Sequence, residues 1–123
     1  ENESSAIMKI TDNGKSVVFT GDATEEEEIA AAAASIKADV LKVSHHGSKT
    51  SSSYEFLQAV HPGLAVISVG ADNKFGHPAP ETLEKLQAIG EKILRTDQAG
   101  NIKVVFDGSN CTWYSYRYQG NYF

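Results

Sequence analysis

The sequence predicts an α/β fold, a partly parallel sheet covered by helices, and three observations lead to it. Strand-like runs alternate with capped helical stretches, in the order ββ-α-β-α-β-α-β-β-β. Residues 64–69 (LAVISV) form an unbroken apolar run, which suits an interior parallel strand buried on both faces. Asn13-Gly14 stands between the first two strand-like runs and supplies the positive-φ positions of a tight hairpin turn.

Each element has its own local signal. Residues 5–10 (SAIMKI) and 16–20 (SVVFT) flank the Asn-Gly turn, and the second runs directly into Gly21-Asp22. Thr24 with Glu27 gives a capping-box pattern, and Glu25, Glu26 and Glu27 complement the positive end of a helix dipole. The acidic block 25–28 therefore reads as a solvated first turn. Ile29, Ala33 and Ile36 recur on one face of that helix, and alanines 30–34 favour it. Residues 39–44 form a short buried strand, followed by the polar loop 45–50 (HHGSKT). Ser52 with Glu55 caps a second helix that carries Phe56, Leu57 and Val60 and stops at His61-Pro62. After strand 64–69 comes a long loop, 70–79, and Pro80 opens a third helix carrying Leu83, Leu86 and Ile89. In that helix Glu81 and Lys85 are spaced to pair, and Gly90 is its stop. Residues 92–96 and 102–106 read as partner strands across a turn at 97–101, and 111–118 as a last strand after a turn at 107–110. In that strand Trp113 and Ser115 alternate with Tyr114, Tyr116 and Tyr118, so one aromatic face covers a core or an edge.

With 123 residues the chain is a single domain, and 41% hydrophobic with 22% charged residues is a globular composition. No apolar run is long enough to cross a bilayer, and residues 1–9 lack the pattern of a signal peptide. The absence of an initiator Met points to a processed chain or an excised piece of a longer one. The lone Cys111 excludes an internal disulfide and reads as a strand residue. A net charge of −5 argues against a protein that coats nucleic acid, though not against a nuclease with a local basic groove built from Lys42, Lys49, Lys74 and Arg95.

Ligands of open α/β sheets bind at the carboxyl ends of the strands. Asp22, the His45-His46 pair and the 70–79 loop all follow strands, so parallel strands would bring them to one rim. Asp22 reads either as a metal ligand or as a turn residue or helix cap. Neighbouring residues of an extended segment point to opposite sides, so one of His45 and His46 could bind a metal while the other faces substrate or locks the loop. Carboxylate and imidazole together suit Zn²⁺, Mn²⁺ or Fe²⁺. Two such ions about 3.5–4 Å apart activate water and hold the oxygens of an in-line displacement at phosphorus. Ser48, Lys49 and Thr50 could hold a phosphate oxygen beside them, or serve as helix-start residues and a solvated lysine. His77, between Gly76 and Pro78, could donate a proton or contact phosphate, or be a surface loop residue. His61 at a helix end is read as structural. There is no G-x-S-x-G, no Walker A motif, no C-x-x-C and no carboxylate pair placed for glycoside chemistry.

Residues 17–22 (VVFTGD), 38–53 (ADVLKVSHHGSKTSSS), 66–80 (VISVGADNKFGHPAP) and 94–97 (LRTD) together resemble the metallo-β-lactamase-fold domain of ComEC-type competence proteins, the DNA-uptake membrane channels, and similar stand-alone hydrolases. The resemblance covers nearly the whole chain. It implies the second half of a metallo-β-lactamase-like αββα sandwich, here a mixed sheet with three helices spanning residues 1–123 as one partial domain. Asp22 then matches the metal-bridging aspartate and the His45-His46 pair the last histidine ligand, with His46 favoured as ligand and His45 as the substrate-side catalytic residue. His77 matches a loop histidine near substrate. The implied activity is metal-dependent phosphodiester hydrolysis, with two divalent ions (zinc or manganese) in the intact domain and DNA or another phosphodiester as substrate. The implied location is outside the cytoplasmic membrane, as a domain of a membrane protein.

The H-x-H-x-D-H motif of such domains is absent from this chain. Two ligand positions cannot hold two ions, because catalytic sites use at least three protein ligands per ion. The fragment alone is therefore expected to hold no metal and to be inactive. It should pair with the N-terminal half of the domain, swap elements, or form a homo-oligomer through an apolar sheet face. Two other readings stay open: a non-catalytic α/β assembly or binding module, and a hydrolase of the same fold acting on another ester.

Overall fold

The structure, a computed structural model, describes residues 5–90, 92–108, 110–117 and 119–122. Strands β1 (Met8–Asp12) and β2 (Lys15–Phe19) form the expected antiparallel hairpin, with Asn13 and Gly14 both at positive φ. Then follow α1 (Glu25–Ala32), β3 (Val40–Lys42), a 3-10 turn over Ser44–Gly47, α2 (Tyr54–Val60), β4 (Leu64–Ile67), α3 (Pro80–Ala88) and β5 (Lys92–Arg95). The chain continues through a one-turn helix α4 (Thr96–Ala99) into β6 (Ile102–Asp107), β7 (Asn110–Ser115) and β8 (Gln119–Tyr122).

Two sheets result. The first is mixed, in the order β1-β2-β3-β4-β5, with β2 to β5 all parallel. The second is antiparallel, in the order β6-β7-β8. Successive residues of a strand point to opposite faces, and here both faces of the central strands β3 and β4 are buried. Val18, Leu41, Ala65 and Ile67 pack on the helical side with Phe56, Leu57 and Val60 of α2 and Leu86 of α3. Val40, Leu64 and Leu94 pack on the other side against Cys111 and Trp113 of β7, with Ile102, Val104 and Phe106 of β6 alongside. This is why residues 64–67 read as continuously apolar, and the result is a helix–sheet–sheet layering.

Several expectations are corrected. Strand 92–95 pairs only with β4, because residues 96–99 form a helical turn rather than a hairpin turn and carry β6 into the second sheet. The three expected helices are present, joined by α4 and the 3-10 turn. Helix α1 ends at Ala32, before the alanine run is complete, and Ile36 and Ala38 enter the core from the following segment. Packing overrides propensity there. In α1 it is Glu28 that is buried, whereas Ile29 is exposed. The buried face of β7 is Cys111 and Trp113, leaving Tyr114 and Tyr116 exposed. Tyr118 and Ser109, part of the expected last strand and turn, lie outside the described residues. Lys85 reaches Glu25 of α1 at 3.7 Å and so ties α3 to α1.

Candidate functional site

Because β2, β3 and β4 are parallel, the segments that leave them meet on one rim, as the order of elements requires. The β2 exit is Thr20-Gly21-Asp22. The Thr20 hydroxyl donates to the Lys42 carbonyl of the neighbouring strand. The β3 exit is the 3-10 turn, in which His45 (φ 52°) and His46 (φ 55°) both take the left-handed conformation. That conformation is costly for a residue with a side chain, and it persists where surrounding contacts enforce it, typically at functional sites. One such contact is the His45 N–H, which donates to Gly21 O at 2.9 Å and so ties the histidine turn to the Gly-Asp turn.

Gly47 joins the third exit to the other two. Its carbonyl accepts the Ala79 N–H at 2.9 Å, and a Cβ placed on it would lie 2.6 Å from Pro78 Cβ. Only glycine permits this approach, which also requires φ +82°. The 70–79 loop thereby carries His77 to His45, with ring centroids 5.9 Å apart, and the His45 and His46 rings are 6.3 Å apart. His77 Nδ1 is buried with no hydrogen-bond partner among the described residues. Burial lowers the His77 pKa, and the nearby His45 and His46 lower it further.

His46 has the most specific environment of the three. Its Nδ1–H donates to the backbone carbonyl of Ser68 at 2.7 Å, just past the end of β4. Since a carbonyl only accepts, this bond places a proton on Nδ1, so that in the neutral ring the exposed side chain carries its lone pair on Nε2. Lys42 lies close enough to Asp22 for the carboxylate to support its charge, although burial of the lysine outweighs this and lowers its pKa.

Under the rim sits Glu28, which is 0% exposed. Its carboxylate accepts from Ser44 Oγ (2.6 Å), Ser52 N (2.7 and 2.9 Å, one to each oxygen) and Ser53 N (3.0 Å). It therefore clamps both ends of the segment that contains His45 and His46. Burial pushes its pKa above the ordinary carboxylate value, against the lowering effect of these donors. The acidic block was expected to be solvated, and for Glu28 that is overturned: the short helix directs this glutamate inward while Glu25, Glu26 and Glu27 stay at the surface. Further ties complete the rim. Ser51 Oγ donates to Ala23 O (2.7 Å) and Thr82 Oγ1 to Ser48 O (3.1 Å). Thr96 Oγ1 both accepts from Val69 N (2.8 Å) and donates to Val69 O (2.9 Å).

Of the residues read as phosphate-binding, Lys49 and Thr50 are exposed. Ser48 is buried, with its hydroxyl 2.9 Å from Thr50 Oγ1. The four cations considered for a basic groove do not act as a set. Arg95 is held by Asp97 in two bonds of 3.0 and 2.6 Å, and Lys42 lines the cleft between the sheets. Lys49 and Lys74 are exposed. His61 lies apart, as the left-handed C-cap of α2. Sequence reasoning missed Glu28, Asn73 and Thr96. Only the density of Ser and Thr over residues 44–53 hinted that a buried acceptor was needed there.

Among the described residues no group of three or more His, Cys, Asp or Glu side chains converges as a metal site. Asp22 and His46 do not complete one by themselves.

A sequence model of the Metallo-beta-lactamase superfamily matches residues 1–71. Among curated proteins, the chain is 43% identical over 105 residues to ComE operon protein 3 of Bacillus subtilis. It is 36% identical over 106 residues to Competence protein ComA of Neisseria gonorrhoeae, and 37% identical over 106 residues to Recombination protein 2 of Haemophilus influenzae. These alignments cover 84%, 84% and 86% of this chain but only 14%, 15% and 14% of the relatives. The chain thus spans about a seventh of the length of the curated relatives it matches.

Proposed function

Since this chain belongs to the metallo-β-lactamase superfamily, we propose that it supplies one side of a metal-dependent phosphodiesterase centre in a competence-associated domain. The superfamily generally binds divalent metal ions. The observation that carries the reading is the bond from His46 Nδ1–H to Ser68 O. Metal-binding histidines typically donate their second ring N–H to a carbonyl or carboxylate, which orients the ring and raises the basicity of the other nitrogen. His46 is arranged in this way, on the same rim as Asp22 and tied to it through Gly21.

In this reading Asp22 and His46 would hold metal together with ligands from a segment outside this chain, and the bound ions would supply activated water and charge neutralisation at phosphorus. His45 and His77 stand beside His46 on the substrate side, and Lys49 and Thr50 contact phosphate. We take DNA as the substrate and a larger protein as the setting, a choice supported by one relative named a competence protein and another a recombination protein. Among the described residues no helix is long and apolar enough to cross a membrane. An extracytoplasmic position in the parent protein is part of the same proposal.

The completing segment has a surface to meet. Met8, Ile10 and Phe19 are exposed, and the pairings Met8–Phe19 and Ile10–Val17 place them on the sheet face shared with the inter-sheet cleft. That cleft, about 270 Å³, is lined by Val17, Phe19, Val40, Val66, Val104 and Phe106 among others. Contiguous exposed apolar surface of this kind favours association.

Calorimetric titration of Mn²⁺ and Zn²⁺ tests the reading, using the chain with and without the N-terminal half of the domain and the Asp22→Ala and His46→Ala variants. Specific binding that needs both residues, with cleavage of single-stranded DNA by the two-part assembly, is expected. Binding and cleavage that survive both substitutions would refute it. The absence of a third ligand among the described residues favours a second reading for the chain alone, a non-catalytic assembly module. Capture of the N-terminal half without metal-dependent cleavage would establish that one.

A further inference from the structure

Phe75 is 78% exposed, the most exposed large apolar side chain among the described residues apart from Tyr116. An exposed phenylalanine on an unrestrained loop would fold back onto apolar surface. Here Asn73 prevents that. Its Oδ1 accepts from Phe75 N (3.0 Å) and His77 N (3.0 Å), while its Nδ2 donates to Gly70 O (3.0 Å) and His77 O (2.8 Å). Four bonds from one side chain hold the loop in a single shape. In that shape the Phe75 ring stacks on His77, with centroids 5.6 Å apart and planes 22° from parallel. His77 in turn adjoins His45. Between Phe75 and His46 lies a shallow depression of about 190 Å³, lined also by Val69, Gly70, Asn73 and His77. It is too small for a folded partner and of the scale of one heteroaromatic ring.

We propose that Phe75, held by Asn73 and backed by His77, is a stacking platform for one nucleobase of a single-stranded nucleic acid whose phosphate lies at His45 and His46. This rests on the phosphodiester reading and deepens it by adding a base-binding subsite. Stacking suits a non-specific substrate because every base has a π-face, and the exposed Lys74 adjoins Phe75 in the chain. An aromatic ring linked to the His45–His46 pair through His77, with centroid steps of 5.6 and 5.9 Å, fits a nucleotide, in which base and phosphate are joined by a single sugar. The subsite distinguishes nucleic acid from phosphodiesters that carry no ring.

The test is an NMR titration of the isotope-labelled chain with a short single-stranded thymidylate and with an abasic strand of the same length, read at the aromatic signals of Phe75 and His77. The thymidylate should shift both signals. The abasic strand should bind about five-fold or more weakly, Phe75→Ala should weaken thymidylate binding by a similar factor, and Phe75→Tyr should restore it. Equal affinity for the two strands, an unchanged Phe75→Ala variant, or no shift at millimolar strand would overturn the proposal. The phosphodiester reading is judged separately, by cleavage of the abasic strand in the two-part assembly. Cleavage without stacking removes the platform and leaves the hydrolase. Stacking without cleavage leaves a base-binding loop and removes the hydrolase.

Discussion

Glu28 gives the sharpest test of how the histidine segment is held. Its carboxylate is the only hydrogen-bond acceptor shown for three buried or half-buried donors: the Ser44 hydroxyl, the Ser52 N–H and the Ser53 N–H. In Glu28→Ala all three lose their partner. Leaving a buried donor unsatisfied costs about 1–3 kcal/mol, so even the low end predicts a loss of about 3 kcal/mol. Glu28→Gln should behave differently. Its amide oxygen can still accept both N–H groups, and its NH2 can donate to Ser44 Oγ once that hydroxyl rotates, so the expected cost is about 1 kcal/mol or less. Urea unfolding, followed by the fluorescence of the single, buried Trp113 and by circular dichroism, measures both. With slopes typical of small domains, Glu28→Ala should lower the midpoint by roughly 1–3 M and Glu28→Gln by much less. The pH dependence carries a sign. Burial raises the Glu28 pKa above its ordinary value of 4.5, so the folded state binds this proton more tightly than the unfolded state. The resulting stabilisation is fully present below the unfolded value and is lost as pH rises through the folded one. Relative to Glu28→Gln, which cannot titrate, the wild type should therefore gain stability as pH falls through the raised folded-state pKa toward the ordinary value of 4.5. A Glu28→Ala cost below about 1 kcal/mol would refute the clamp, since it would mean that the three donors find other acceptors. A wild-type advantage that shrinks on acidification would refute the assigned direction.

Other perturbations have equally definite outcomes. Gly47→Ala forces a Cβ to within 2.6 Å of Pro78 Cβ at φ +82°, and should destabilise by about 2–4 kcal/mol in the same urea assay while shifting the NMR signals of both His46 and His77. Thr96→Val removes both bonds to the Val69 backbone and should cost about 1–3 kcal/mol, since the Val69 N–H is left unpaired under the rim. Cys111 is 0% exposed, with its pKa raised by burial and then by Asp39, so a thiol reagent at mildly alkaline pH should label it only at the rate of unfolding; rapid labelling of folded chain would contradict the packing of β7 on the first sheet.

The sequence disclosed the candidate site better than it disclosed what holds the site together. Asp22, His45, His46 and His77 were legible because each follows a run whose apolar pattern marks a strand, and parallel strands place such exits on one rim whatever else the chain does. Glu28 was not legible. Four consecutive glutamates at a helix start all complement the dipole, only Glu27 is singled out by the capping box, and an eight-residue helix offers too few turns for periodicity to separate the buried one. The same limit applies to β7. Alternation of Trp113 and Ser115 against the tyrosines was plain, but alternation defines two faces without saying which meets a partner, and the partner here is the far side of a sheet distant in sequence. Pairing of β6 with β7 rather than β5 hung on four residues, Thr96–Ala99, whose helical turn is anchored by a long-range contact, Thr96 to the Val69 backbone, beside the local Arg95–Asp97 pair. In each case local chemistry named the groups that face outward, while long-range packing chose the groups that face inward. For this chain that division has a functional consequence. The histidines present their chemistry at the surface, but their strained left-handed geometry depends on buried partners at Glu28, Gly47 and Thr96, so substitutions well away from any substrate should disturb the rim as much as substitutions within it.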